Sequence, residues 1–161
     1  MDSWKVSGIS FASFFGCVVT LPWAPRLGDV YGRKKILTWF NLVQFLSFTV
    51  IMFTKSLWVM IAASGVYGAT SSIMATTGYL FLLELVPKKN ETRVATLFFF
   101  FDQMPYLMTV IYFWVISKLW FWIVLVGYVM QIISMILYWF LPESPAFLFS
   151  LNRVDETIQV F

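Results

Sequence analysis

The sequence contains no histidine, only one cysteine and few charged residues. Charged residues make up 12% of its 161 residues, whereas about 25% is usual in soluble proteins. The absence of histidine excludes imidazole bases and histidine-ligated metal sites, and the single Cys17 excludes a disulfide scaffold. No residues resemble a catalytic triad, a phosphate-binding loop or a metal-ligand cluster. The sequence therefore predicts a protein that is not an enzyme and needs no cofactor.

Hydrophobic residues are abundant instead, at 60% of the chain, and aromatic residues make up 20%. A helix needs about 20 mostly apolar residues to cross a bilayer, and five stretches reach or approach this length. They are residues 6–25, 36–54, 56–83, 94–117 and 119–142. None alternates as the strands of a membrane β-barrel do. We therefore predict an all-α integral membrane protein with a five-helix transmembrane bundle in residues 1–142, a short helical tail in residues 143–161, and the lipid bilayer as a partner.

The distribution of positive charge predicts the orientation of these helices. Segments on one side of the membrane contain eight basic residues, and segments on the other side contain three. The eight are Arg26, Arg33, Lys34, Lys35, Lys88, Lys89, Arg93 and Arg153, and the three are Lys5, Lys55 and Lys118. Because basic loops stay in the cytoplasm or matrix, we expect the N-terminus outside and the C-terminus inside. The membrane is the plasma membrane or that of an organelle, including the mitochondrial inner membrane. The cations lie in small groups between apolar runs, which argues against nucleic-acid binding.

Residues 25–35, with the sequence PRLGDVYGRKK, resemble the loop between the second and third helices of major facilitator superfamily transporters. Gly32 permits a tight turn, and Asp29 is placed to pair with Arg33 or Lys34. Such an ion pair can form in one conformation and break in another, which would be a gating role. The alternative is that the basic residues only fix the topology.

Two further segments fit the same family. Residues 141–148, LPESPAFL, are similar to a signature that follows the sixth helix of sugar porters and organic-ion transporters. Glu84 resembles the acidic residue at the end of the family's fourth helix, with Arg93 in place of a later arginine. The resemblance covers helices two to six of the family's N-terminal half, of the sugar-porter or organic-cation type. It implies a gating motif formed by Asp29, Gly32, Arg33, Lys34, Glu84, Arg93 and Glu143.

The chain departs from the family pattern in its motifs and in its extent. Pro25, Val30 and Ala146 stand where the signatures have a glycine and two basic residues, and counterparts of the first helix and of the second six-helix half are missing. We therefore expect a truncated transporter-like protein that works only within a larger membrane assembly, as a structural or accessory subunit. Its partners would be other membrane subunits or a second half-transporter. The alternative is a sugar or organic-ion transporter that acts as an oligomer or as a fragment of a full-length carrier.

Asp102 is the one charged residue within a predicted span. Exposing it to lipid would cost about 2.5–3.5 kcal/mol, so we expect it to face protein or water. Its neighbour Gln103 lies near the position where the resemblance implies a substrate-binding glutamine, and Gln131 lies in the last span. These three residues are candidates for binding a small polar or cationic solute. For Asp102, a purely structural role is equally open.

Polar or small residues recur along one face of three spans. The second span has Thr38, Asn41, Gln44 and Ser47, the third has Ser64, Gly68 and Ser72, and the fifth has Gly127, Gln131, Ser134 and Tyr138. We interpret the polar faces as sources of helix–helix hydrogen bonds, at about 0.6 kcal/mol each, although a solute pathway would use the same residues. The small residues of the third span predict close packing inside the protein, with a dimer face as the alternative.

Overall fold

The structure, a computed structural model, describes residues 3–116 and 119–141, and this part of the chain forms six α-helices and no β-strand. The helices are α1 (Ser3–Thr20), α2 (Ala24–Tyr31), α3 (Arg33–Phe53), α4 (Leu57–Leu85), α5 (Glu91–Ile111) and α6 (Trp120–Phe140). A 3-10 turn at Lys88–Asn90 precedes α5, and a π-helical turn at Tyr112–Ile116 follows it. The predicted tail, residues 143–161, lies outside the described residues.

Within the described residues, four segments are long and apolar enough to cross a membrane: Arg33–Phe53, Leu57–Leu85, Lys88–Val115 and Phe121–Phe140. A fifth crossing is available if α1 and α2 form one span, whose two parts meet at a bend of 54°. This agrees with the predicted all-α membrane fold and with up to five spans.

The first predicted span, residues 6–25, is wrong in one respect, because it is not a continuous helix. Helix α1 ends at Thr20, and α2 begins at Ala24. Pro22 lies in the break between them and has no backbone N–H to continue the helical ladder. Pro25 occupies the first turn of α2, where a proline is tolerated. The chain therefore turns here instead of continuing straight to Pro25.

Helix α4 is the central element, with α1 and α3 packed along it. Its buried residues are mostly small or polar: Ser64, Gly68, Thr70, Ser72, Ile73, Thr77 and Phe81. A Cβ atom added to Gly68 would overlap the carbonyl oxygen of Ser13, and one added to Gly16 would overlap that of Gly65. The backbones of α1 and α4 therefore touch. The prediction that the small residues of this span pack inside the protein is confirmed.

Helices α5 and α6 are much more exposed than the other spans. No residue of α5 is buried, and none of the segment Phe121–Phe140 is buried either. Helix α6 lies against α3, and α5 contacts α4 near Tyr79, whose ring lies 5.5 Å from that of Phe98. These two helices form one side of a cleft whose other side is α3 and α4.

Candidate functional site

A polar cleft of about 270 Å³ lies between α3, α4, α5 and α6. Seven of the residues that line it have polar side chains: Asn41, Gln44, Ser71, Asp102, Gln131, Ser134 and Tyr138. Its remaining lining is apolar or small and comes from Met74, Ala75, Gly78 and Phe98. The cleft brings together the polar faces of the second and fifth predicted spans with the charged residue of the fourth.

The α3 side of the cleft is anchored by Asn41, which is 1% exposed. Its Nδ2 donates to Ser134 Oγ at 3.1 Å, and its Oδ1 accepts a hydrogen bond from Gln131 Nε2 at 2.7 Å. A buried amide must be satisfied in this way because an unpaired polar group is costly inside a protein. The interpretation of these polar faces as helix–helix contacts is therefore confirmed for Asn41, Gln131 and Ser134, which also line the cleft.

Other members of the two polar faces do not bridge helices in this manner. Thr38 and Ser47 donate to carbonyl oxygens of their own helix, at Lys34 and Val43. Gly127 has open space around it. Away from the cleft, the hydroxyls of Thr49 and Tyr128 form a contact of 3.2 Å between α3 and α6, and Thr20 Oγ1 donates to the Ala69 carbonyl at 3.2 Å between α1 and α4.

Asp102 lies near the middle of α5, is exposed and lines the cleft. Its Oδ2 accepts a hydrogen bond of 3.0 Å from Gln103 Nε2. Gln103 itself does not line the cleft. Among residues 3–116 and 119–141, no basic side chain lines the cleft beside this carboxylate. Of the three predicted solute-binding residues, Asp102 and Gln131 line the cleft, and Gln103 donates a hydrogen bond to Asp102.

Sequence reasoning missed five of the residues that line this site: Ser71, Met74, Ala75, Gly78 and Phe98. Ser71 lies on α4 in register with Ala75 and Gly78, at spacings of four and three, and all three line the cleft. The sequence shows this spacing of Ser71, Ala75 and Gly78, but it also shows small residues on the neighbouring face of α4, around Gly68. The structure packs the Gly68 face against α1 and leaves the Ser71 face to line the cleft. Phe98 belongs to a run of four phenylalanines, and nothing local distinguishes it from the others.

A second cluster of functional interest lies where α2, α3 and α4 meet. Gly32 joins α2 to α3 with a φ of 89°, a conformation that favours glycine. Arg33, the first residue of α3, then forms two ion pairs through Nη2, one of 3.0 Å to Asp29 and one of 2.7 Å to Glu84. The Arg33 side chain is 12% exposed, that of Glu84 22%, and that of Asp29 61%. The inner pair is therefore shielded from solvent and the outer pair is not.

The structure gathers only part of the predicted gating motif into this cluster. Asp29, Gly32, Arg33 and Glu84 come together. Lys34 points instead into a separate groove between α3 and α6, and Arg93 is exposed at the start of α5, with no ion pair in the described part of the chain. Glu143 lies outside the described residues.

Comparison with known proteins adds the following findings. The family model described as "Sugar (and other) transporter" matches residues 2–161. Myo-inositol transporter 1 of Candida albicans is 26% identical over 157 residues, which cover 96% of this chain and 28% of that protein. Tetracycline resistance protein, class H, of Pasteurella multocida is 31% identical over 100 residues, which cover 55% of this chain and 24% of that protein. The chain thus spans about a quarter of the length of these relatives.

Proposed function

The chain belongs to the sugar (and other) transporter family, and from this membership we propose that it forms one wall of a transmembrane path for a small polar solute. The polar cleft between α3, α4, α5 and α6 carries this proposal. In a chain that is 60% hydrophobic, hydrogen-bonding side chains from all four helices converge on this space. Polar groups inside a membrane are costly and tend to mark solute or ion pathways.

The chemistry of the cleft favours a solute rich in hydroxyl or amino groups. Amide and hydroxyl side chains both donate and accept hydrogen bonds, as a sugar or polyol hydroxyl does. Asp102 adds a negative charge and so would attract a cationic solute. A volume of about 270 Å³ is close to the lower end of ligand sites, about 300–1,000 Å³. The relative from Candida albicans is named for myo-inositol, which makes this compound the first neutral solute to test.

The cluster of Asp29, Gly32, Arg33 and Glu84, called the Arg33 cluster below, supplies ion pairs that a transporter can form in one conformation and break in another. Arg33 joins the start of α3 to the end of α4 through Glu84 and to α2 through Asp29. Separating the helices would break the shielded ion pair between Arg33 and Glu84, so the ion pairs hold one arrangement until solute or another domain offsets this cost. In this proposal Asp29, Arg33 and Glu84 form a gate at the cytoplasmic end, with Gly32 as its turn. The excess of basic residues at this end supports the cytoplasmic assignment.

A second role, as an accessory subunit of a membrane assembly, is favoured by the exposure of α5 and α6. Trp114 is 86% exposed and Phe140 81% exposed, and aromatic side chains of this kind suit both lipid and protein partners. In this role, other membrane subunits would cover these helices. A complex that keeps a fixed stoichiometry in mild detergent, but moves no solute, would favour this second role over the first.

Solute uptake into proteoliposomes tests the transport proposal. Liposomes containing the chain, together with any subunits that co-purify with it, are supplied with labelled myo-inositol or labelled choline. Gln131→Leu removes a cleft amide and its hydrogen bond to Asn41, and we expect at least about a tenfold loss of uptake, equivalent to roughly 1.4 kcal/mol. Met130→Leu changes the adjacent residue, which does not line the cleft, and should leave uptake unchanged.

Asp102→Asn then identifies the class of solute. Loss of choline uptake in this variant would assign a cation, whereas retained myo-inositol uptake would assign a neutral polyol. Absence of uptake of every solute, in every preparation, would contradict the transport proposal. Equal losses in Gln131→Leu and Met130→Leu would contradict the assignment of the cleft.

A further inference from the structure

A groove of about 360 Å³ separates the first turns of α3 from the last turn of α6. Lys34, Lys35, Thr38, Trp39 and Trp139 line it. The groove is distinct from the polar cleft, and these residues have no part in the solute path proposed above. Two lysines and two tryptophans thus lie together at the end of the bundle where α3 begins and α6 ends.

The lysines of this groove form no ion pair within the described part of the chain. Asp29 and Glu84 both pair with Arg33. In the described part of the chain, no carboxylate lies within ion-pairing distance of Lys34 or Lys35. The hydroxyl of Thr38 donates to the Lys34 carbonyl at 2.9 Å. The two ammonium groups are therefore the charged donors that this groove offers to an anion.

The two tryptophans favour a position of the groove at the level of the lipid headgroups. Trp39 is 67% exposed and Trp139 is 68% exposed, and indoles of membrane proteins concentrate at the boundary between hydrocarbon and water. Lysine side chains near the ends of transmembrane helices extend to the same level. The groove therefore opens towards the layer that contains phosphate groups.

Apolar grooves continue on both sides of this basic groove. Along α6, a groove of about 450 Å³ is lined by Ile132, Met135, Ile136, Trp139 and Phe140. Along α2 and α3, a groove of about 380 Å³ is lined by Leu27, Tyr31, Lys35, Ile36, Trp39 and Phe40. The first shares Trp139 with the basic groove, and the second shares Lys35 and Trp39. A headgroup site flanked by two apolar channels has the layout of a phospholipid with two acyl chains.

We propose that the groove between α3 and α6 binds an anionic phospholipid, with its phosphate against Lys34 and Lys35 and its acyl chains along the two apolar grooves. Hydrogen bonds from ammonium to phosphate are charge-assisted and strong. Basic pockets between transmembrane helices on the cytoplasmic side are suited to anionic headgroups. The bound lipid would join α6, which is otherwise loosely packed, to α3.

Native mass spectrometry of the full chain in neutral detergent tests this proposal, with dioleoyl phosphatidylglycerol and dioleoyl phosphatidylcholine as probes. The unmodified chain should retain one phosphatidylglycerol in preference to phosphatidylcholine. Lys34→Gln with Lys35→Gln should weaken phosphatidylglycerol retention about thirtyfold. Lys88→Gln with Lys89→Gln is the matched control, because it removes two adjacent lysines at the same end of the bundle that line none of the three grooves. The control should bind lipid as the unmodified chain does.

Two outcomes would overturn the proposal. Equal losses in both lysine pairs would show a diffuse charge effect without a site. Displacement of the lipid by millimolar inorganic phosphate would show that the apolar grooves hold no acyl chains. If the double variant does not fold, judged by circular dichroism and gel filtration, Lys35→Gln alone gives the same comparison, since Lys35 is the more exposed of the two lysines.

Discussion

Helices α1–α4 and helices α5–α6 pack in different ways. Within α1–α4, glycines bring backbones into contact, and α4 buries seven residues. Helix α5 buries none, and α6 is joined to α3 by hydrogen bonds at Asn41 and Thr49 and by the Tyr128 ring, which lies 5.1 Å from Phe45 and 6.0 Å from Phe48. The polar cleft lies at the boundary between these two regions. The comparison indicates that α3 and α4 form a tightly packed side of the cleft, whereas α5 and α6 form a loosely packed side that can move more easily.

The largest difference between the two regions should appear on adding one methyl group to a glycine in each. Gly68→Ala places a Cβ against the Ser13 backbone, which cannot move aside as a flexible side chain would. We expect unfolding free energy to fall by about 3 kcal/mol or more, measured by denaturant titration in detergent. Gly127→Ala in α6, which meets nothing within 4 Å, should stabilise the helix by up to about 1 kcal/mol. Similar effects at both positions would remove the distinction between the two regions.

A smaller effect is expected within the Arg33 cluster, where exposure differs between the two carboxylates. Arg33→Gln removes both ion pairs, including the shielded one to Glu84, and should cost about 1–3 kcal/mol of unfolding free energy. Asp29→Asn removes only the outer, exposed pair and should cost under about 0.5 kcal/mol. Arg93→Gln, on the exposed start of α5, is the control for loss of a basic residue and should be neutral. If Asp29→Asn lowered the unfolding free energy as much as Arg33→Gln does, that would contradict the conclusion that the shielded pair with Glu84 contributes more than the exposed pair with Asp29.

The sequence predicted the spans well because their lengths follow from the thickness of a bilayer. It also predicted the packing of Gly68, since small residues four apart lie on one helix face. It did not predict the break near Pro22, because a proline at the end of an apolar run is equally compatible with a straight span that ends there. The family resemblance drawn from the motifs is confirmed by the match over residues 2–161.

The candidate site was only partly predictable from the sequence. Asp102 was identified because a charge inside an apolar run is conspicuous. Whether Gln103 or Ser71 faced the cleft depended on the rotation of α5 and α4, and a helix that is apolar on all sides gives no periodic signal to fix that rotation. The pairing of Arg33 with Glu84 joins residues far apart in sequence, and no local pattern determines such a contact. The orientation of the chain in the membrane stays a prediction from its loop charges.

Thiol accessibility within the cleft tests the central claim, that the cleft is a solute path, most directly. In a Cys17→Ser background, Ser71→Cys places a thiol at the cleft, and Ser72→Cys places one at the adjacent residue, which is 5% exposed. A charged, membrane-impermeant thiol reagent is added with and without myo-inositol or choline. The account predicts that Ser71→Cys reacts, that one of the two solutes slows the reaction, and that Ser72→Cys does not react. An unreactive Ser71→Cys, or labelling that neither solute slows, would contradict it.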